Sequence, residues 1–150
     1  MSAQTIIRKA EPGDLDALVA LENRCFDGDR MSRRSYAAAL RNPRASLLVA
    51  MAGMRLVGSA VVLRRSDSPA ARLYSVAVDP TLRGRGLGAR LLAEAEQAAR
   101  NSGAASLRLE VKDRNRTALA LYGKSGYGII GRIAQYYADG SDALRLEKPL

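Results

Sequence analysis

The feature that most constrains this chain is the hexapeptide Arg83-Gly84-Arg85-Gly86-Leu87-Gly88, set between an apolar run ending at Asp79-Pro80 and a stretch with helical spacing. Glycines at alternate positions lack the Cβ atoms that hold a backbone away from an anion. Several N–H groups can then point at one ligand, and the helix N-terminus behind them adds partial positive charge. Arg83 and Arg85 add full charges. A diphosphate suits such a loop; the competing reading, a tight turn with no ligand, needs only one or two glycines.

Two other anion motifs compete with this one. Gly84, Gly86 and Ala89 match the dinucleotide fingerprint G-x-G-x-x-G/A, and Glu110 lies near the place of a ribose-binding acid. Against that reading, Pro80 to Arg83 intervene between the strand and Gly84, whereas a dinucleotide loop follows its strand directly. About 65 residues remain beyond the loop, too few to complete a doubly wound domain. Gly123-Lys124-Ser125 looks like the end of a P-loop, but residue 118 is alanine and the segment closes a helix instead of opening one.

Composition narrows the chemistry. The 150 residues contain no histidine and one cysteine, Cys25. The usual zinc clusters, an internal disulfide, and Ser-His-Asp or Cys-His catalysis are therefore out of reach, and no metal is expected. The length suits one domain over 1–150, and no apolar run approaches the ~18–20 residues that span a bilayer. A soluble, cytoplasmic protein without a secretory signal is expected, as monomer or homodimer. The net charge of +9 admits ribosome or RNA association. However, the arginines are dispersed, with dense groups outside the glycine loop only at Arg30 to Arg34 and Arg64-Arg65, so an arginine-rich solvated surface that attracts an anionic ligand is the preferred account of the charge.

Periodicity predicts a short strand at Ile6-Ile7, a helix over 15–25 with Asp14 as N-cap, and a second helix capped by Ser32 and stopped at Asn42-Pro43. A hairpin follows over 46–52 and 55–65, turning at Gly53, then a strand over 71–79. A helix spans Leu87 to Asn101, a strand Ser106 to Val111, and a short helix Asn115 to Ser125. A long strand over Tyr127 to Tyr137 and a last one over Ala143 to Glu147 complete the order βααββββαβαββ, a mixed α/β sheet with helices on both faces.

On these residues the chain resembles the GNAT (Gcn-related N-acetyltransferase) superfamily. Arg83-x-x-Gly86-x-Gly88 after SVAVDP is similar to the superfamily signature. Leu109-Glu110-Val111, Asn115, Ala118, Tyr122, Gly126 and Tyr127 match the LEV-x3-N-x2-A-x3-Y-x3-G-[FY] pattern of bacterial ribosomal-protein-alanine N-acetyltransferases and related protein N-terminal acetyltransferases, and YYADGSDA looks like a further segment of that family. The resemblance implies a mostly antiparallel sheet whose central parallel pair splays around acetyl-CoA. It implies that Gly84 to Ala89, with Arg83, Arg85, Leu87 and Gly88 among them, hold the pyrophosphate, that Val76, Ala77 and Val78 pair with the pantetheine arm, and that Asn115 contacts the cofactor. By the same resemblance Glu110 is the general base and Tyr122 the general acid, and Phe26, Tyr36, Tyr74, Tyr136 and Tyr137 lie toward the acceptor.

Each of these residues has a structural alternative. In SLRLEV, Leu107, Leu109 and Val111 share one strand face, leaving Ser106, Arg108 and Glu110 on the other. Glu110 can face a cleft as a base or simply pair with Arg108. Asn115 is a good N-cap in its own right, Tyr122 a plausible core aromatic, and Tyr136 and Tyr137 would point to opposite faces of a strand, leaving at most one for substrate. Phenol and thiol pKa values of about 10 and 8.5 make proton transfer from Tyr122 slightly uphill unless the site lowers the former. An α-amine, with a pKa near 8, is easier to deprotonate than a lysine near 10.4. The expected acceptor is thus a protein N-terminus; a small amine, or a silent acyl-CoA- or RNA-binding module, remains the alternative. The strand over 71–75 carries no carboxylate, which places more of the burden on Glu110.

Overall fold

The computed structural model describes residues 4–150. Its strands are β1 Thr5–Lys9, β2 Ala45–Ala52, β3 Arg55–Arg64, β4 Ala70–Val78, β5 Ser106–Lys112, β6 Gly128–Ile133 and β7 Ala143–Pro149. The helices are α1 Leu15–Cys25, α2 Arg33–Arg41, α3 Leu87–Asn101 and α4 Arg116–Lys124. All strands join one sheet in the order β1-β2-β3-β4-β5-β7-β6, antiparallel throughout except for the parallel pair β4 and β5.

Each face of the sheet has its own core, as the strand alternation requires. On one, Leu91, Leu92, Ala95 and Ala99 of α3 pack against Ala60, Val62, Ala71, Leu73, Leu107, Leu109 and Leu146. On the other, Leu18 and Leu21 of α1 and Tyr36 of α2 pack on Leu47, Val49, Val61 and Ala77. The helices α1 and α2 thus cover β2 to β4. Gly58 is needed where α3 crosses β3, since a Cβ there would lie 2.8 Å from a Leu91 methyl. Among the described residues no helix is long and apolar enough to cross a membrane.

Several expectations need correction. Three consecutive strands, not four, follow α2. The long strand over Tyr127 to Tyr137 does not form: Tyr127 is buried ahead of β6, and β6 ends at Ile133. Asp142 stops it by accepting from Gln135 N–H (3.1 Å), and Gln135 itself takes a left-handed φ of 52°. Tyr136 and Tyr137 therefore lie in the β6–β7 loop. Asp14 stands at the N-cap position of α1, as expected, but gives the helix no side-chain hydrogen bond: it closes a 3-10 turn, its carboxylate accepting from Arg8 (2.8 Å) and from the Glu11 N–H (2.7 Å). Ser32 does cap α2, accepting from Ser35 N–H at 3.0 Å.

Candidate active site

The site begins with an irregularity in β4. The register against β3 passes from Val61↔Ser75 to Val62↔Leu73, leaving Tyr74 without a partner. One extra residue bends a strand and shifts its alternation by one. Before the bulge Ala71 and Leu73 face α3. After it Val76 and Val78 pack on that side, while Ala77 faces α1. Beyond the bulge the strand also parts from its parallel neighbour: β4 and β5 pair only over Ala70–Arg72 and Ser106–Arg108. From Leu73 onward one edge of β4 has no strand beside it, so some of its backbone N–H and C=O groups are available to an extended ligand.

A groove of about 640 Å³ occupies this opening. Val76, Ala77 and Val78 line it from β4, followed by Leu82, Arg83, Gly84, Gly86, Leu87, Gly88 and Ala89. Asn115, Thr117, Ala118, Leu121, Tyr122 and Lys124 line it from α4, and Cys25 and Phe26 from the end of α1. The glycine positions divide by function. Gly84 and Gly86 both hold φ +81°, where a side chain would be strained, and Gly86 caps the N-terminus of α3. Gly88 is helical, and a Cβ there would sit at an ordinary contact distance of 3.5 Å from Leu121, so neither backbone conformation nor packing against α4 demands glycine at this position. Arg83 is exposed within the groove, whereas Arg85 is exposed outside its lining.

The loop is anchored by Asp79, buried beneath it. Its carboxylate accepts from the Thr81 N–H (3.0 Å) and hydroxyl (2.7 Å), and from Arg55 (2.9 Å) and Arg24 (3.3 Å). The two Thr81 hydrogen bonds, with the arginines behind them, hold its pKa below the usual carboxylate value.

Asn115 both caps α4, accepting from Ala118 N–H at 3.1 Å, and lines the groove, so its two readings coexist. Tyr122 is likewise both: it is buried, packed edge-on against Tyr127 at 5.6 Å, and lines the groove. Burial pushes its pKa up to about 12, the opposite of the lowering that full proton transfer would need.

Glu110, Tyr74, Tyr136 and Tyr137 gather around Arg72, outside the glycine-loop groove. Arg72 is in register with Arg108, and Glu110 with Arg145, so all four share one face of the sheet. Glu110 is not the surface partner of Arg108, which turns to Glu147. Its side chain, 5% exposed, is ion-paired with Arg72 and lies 3.5 Å from the Nε of Arg145. Arg72 also donates to the Tyr136 hydroxyl (3.0 Å) and lies over the Tyr74 ring at 4.7 Å. Tyr136 packs edge-on against Tyr137 at 4.9 Å, with Lys112 over the latter. The two tyrosines therefore converge near Glu110 instead of dividing between faces. Burial, aided by the neighbouring Tyr136 and Glu110, pushes Tyr137 up to about 12.

Two loops close over this side. Lys112 bridges Asp29 (3.3 Å) and Asp139 (3.2 Å), and Ala138 N–H donates to Asp29 (3.3 Å), joining the α1–α2 loop to the β6–β7 loop. Tyr36 does not line a groove. It is fully buried and donates to Glu22 at 2.6 Å, while Glu22 also accepts from Met31 N–H at 2.8 Å. Its contribution is to fix α2 and the start of that loop against α1. Phe26 alone of the predicted acceptor-side residues lies in the groove with the glycine loop.

Arg72 and Arg145 were not singled out by sequence. Each is the one arginine of its predicted strand, and only the strand order places them beside Glu110.

Comparison with known proteins agrees with this geometry. The acetyltransferase (GNAT) family model matches residues 15–127. The chain is 32% identical over 139 residues to the N-alpha-acetyltransferase RimI of Mycobacterium tuberculosis, covering 90% of this chain and 86% of that protein. It superimposes on the ribosomal-protein-S18-alanine N-acetyltransferase of Escherichia coli with a TM-score of 0.87 at 28% identity, covering 97% and 94% of the two chains. It is 35% identical over 147 residues to an uncharacterised Mycobacterium leprae protein, ML0378, of which it spans 40%. The chain belongs to the acetyltransferase (GNAT) family, and with it to the N-acyltransferase class of enzymes.

Proposed function

We propose that residues 1–150 form one acetyl-CoA-dependent domain that acetylates the α-amine of a protein N-terminus by direct transfer. The observation that carries this reading is the opening between β4 and β5. It has the glycine loop, the unpaired β4 edge and Tyr122 on one side, and Glu110 with two tyrosines on the other. The match to N-terminal acetyltransferases supports an α-amine acceptor.

The groove suits acetyl-CoA on its own features. Gly84 and Gly86 leave a backbone cradle open at a helix N-terminus, Arg83 adds charge, and the free β4 edge offers hydrogen bonds to an amide-bearing arm. Acetyl-CoA supplies a thioester-activated acetyl group. The protein's task is then to align the amine, stabilise charge developing on the carbonyl oxygen, and manage two protons.

A backbone N–H of Val76, Ala77 or Val78 serves as oxyanion donor. Glu110 takes the amine proton, directly or through water. With its carboxylate engaged by Arg72 and Arg145, it must release one of these contacts as the acceptor enters. Tyr122, with its pKa up at about 12 against about 8.5 for a thiol, remains a phenol at all working pH values and acts mainly as a hydrogen-bond donor to the departing sulfur.

The decisive experiment is a thiol-release assay with acetyl-CoA against N-terminal peptides, lysine peptides and small amines. Turnover confined to free α-amino peptides is expected. Preference for a small amine would replace the protein acceptor while keeping the acyltransferase. A lack of thiol release, joined to salt-sensitive RNA binding, would favour a non-catalytic module.

A further inference from the structure

The acceptor side of Glu110 carries more positive charge than its own carboxylates balance. A second cavity, of about 250 Å³, lies on this face, lined by Arg65, Arg72, Arg108 and Arg145 together with Asp67 and Glu110. Four guanidinium groups thus meet two lining carboxylates, and Glu147 answers only Arg108. Their remaining contacts are incomplete. Arg145 reaches Glu110 through Nε at 3.5 Å, and Arg65 reaches Asp67 at 3.6 Å. The Nε of Arg72 is buried without any hydrogen-bond partner. A buried donor left unpaired is costly, so a shift of the partly exposed Arg72 side chain that brings its Nε to an acceptor oxygen is favoured.

Arginine presents its donors as a rigid planar fork that fits a carboxylate at two points, and such charge-assisted pairs are stronger than neutral hydrogen bonds. A cationic side chain beside the acceptor amine would instead meet several guanidinium groups. We propose that this arginine-lined cavity selects acceptors carrying a carboxylate close to the amine to be acetylated. The inference rests on the acyltransferase reading above and names its substrate class. The amine faces Glu110, and the neighbouring carboxylate takes the free donors of Arg72, Arg145 and Arg65. On a protein acceptor the carboxylate belongs to Asp or Glu at the second or third residue; a free amino acid presents the same chemistry through its α-carboxylate.

The test uses the full chain with acetyl-CoA and three peptides that begin with alanine and differ only at residues two and three, as Glu-Glu, Gln-Gln or Lys-Lys. Alanine and alaninamide form a second pair. The expected order of kcat/KM is Glu-Glu above Gln-Gln above Lys-Lys, each step about tenfold and carried mainly by KM, shrinking as salt screens the charges. Arg65→Gln, which leaves the Glu110 contacts in place, should reduce the ratio between the first two peptides. Alanine turned over well above both alaninamide and the peptides would assign the carboxylate to a free amino acid and uphold the recognition. Equal rates on the three peptides, or preference for Lys-Lys, would overturn charge selection while leaving acetyl transfer standing. Absence of thiol release with every acceptor would overturn the proposed function and this inference together.

Discussion

The two sides of the β4–β5 opening are built on different principles. The glycine-loop side is mostly a contiguous piece of chain: strand end, loop and helix start fall within Val76 to Ala89, and α4 and the end of α1 at Cys25 and Phe26 are added from elsewhere. The Glu110 side is assembled from β4, β5, β7 and two loops far apart in sequence, and its parts are held by ion pairs instead of backbone geometry. A backbone cradle can be fixed once and reused for the same cofactor. A surface of paired charges can be altered one residue at a time, and for that reason we assign acceptor choice to the second side.

The sharpest way to break this division is to remove charge at its centre. Glu110→Gln keeps the shape of the side chain but removes the carboxylate proposed as the base, and the expected loss in turnover is about 10²–10³-fold. The KM for acetyl-CoA should stay within about twofold, because the residue lies outside the cofactor groove. Steady-state kinetics at saturating acceptor would show it. Unchanged turnover would remove Glu110 from the chemistry and leave it as a structural partner of Arg72. Tyr122→Phe probes the other side and should lower turnover by about 10–100-fold, a loss expected for one hydrogen-bond donor in the transition state. A change only in cofactor affinity would mark Tyr122 as groove packing.

The contrast also explains what the sequence made legible. The α1 and α3 limits, the two hairpin strands and the loop all follow from local rules: 3.6-residue spacing, apolar β-branched runs about a glycine turn, and glycines ahead of an apolar helix. Failures came where long-range contacts overrode them. Tyr127 to Tyr137 reads as a β-rich run, but Asp142 captures Gln135 and turns the chain, so the tyrosines serve a loop. Tyr36 has the same apolar spacing whether it faces a groove or the core, and only its hydrogen bond to Glu22 distinguishes them. The bulge at Tyr74, which reverses the facing of Val76 to Val78, has no signature in the strand sequence Ala71-Arg72-Leu73-Tyr74-Ser75.

A smaller effect separates the glycines within the cradle. Gly86→Ala forces a side chain into φ +81°, a cost of about 1–2 kcal/mol, so the KM for acetyl-CoA should rise about 5–30-fold. Gly88→Ala adds a methyl at ordinary contact distance from Leu121 and should change folding stability little. If the alanine at 88 weakens cofactor binding as much as the one at 86, backbone conformation is not what the loop supplies. Isothermal titration with CoA separates the cases, because it does not depend on acceptor chemistry.

The finest distinction between the two sides is in pH dependence. Tyr122 has its pKa raised to about 12, so its phenol keeps its proton across the range in which an α-amine, near 8, loses its own. The rate should therefore rise with pH as the amine deprotonates and then level off, with no falling limb below about pH 11 assignable to this residue. The same shift has a stability consequence with a definite sign. Because the folded value lies above the ordinary 10, the stabilisation of the buried neutral phenol is fully present below pH 10 and is lost as pH rises toward 12. Thermal melting followed from pH 9 to 11.5 should thus fall less steeply in Tyr122→Phe than in the parent. A falling rate limb near pH 9 that disappears in Tyr122→Phe would mean that the occupied groove lowers the phenol's pKa, returning Tyr122 to the role of full proton donor.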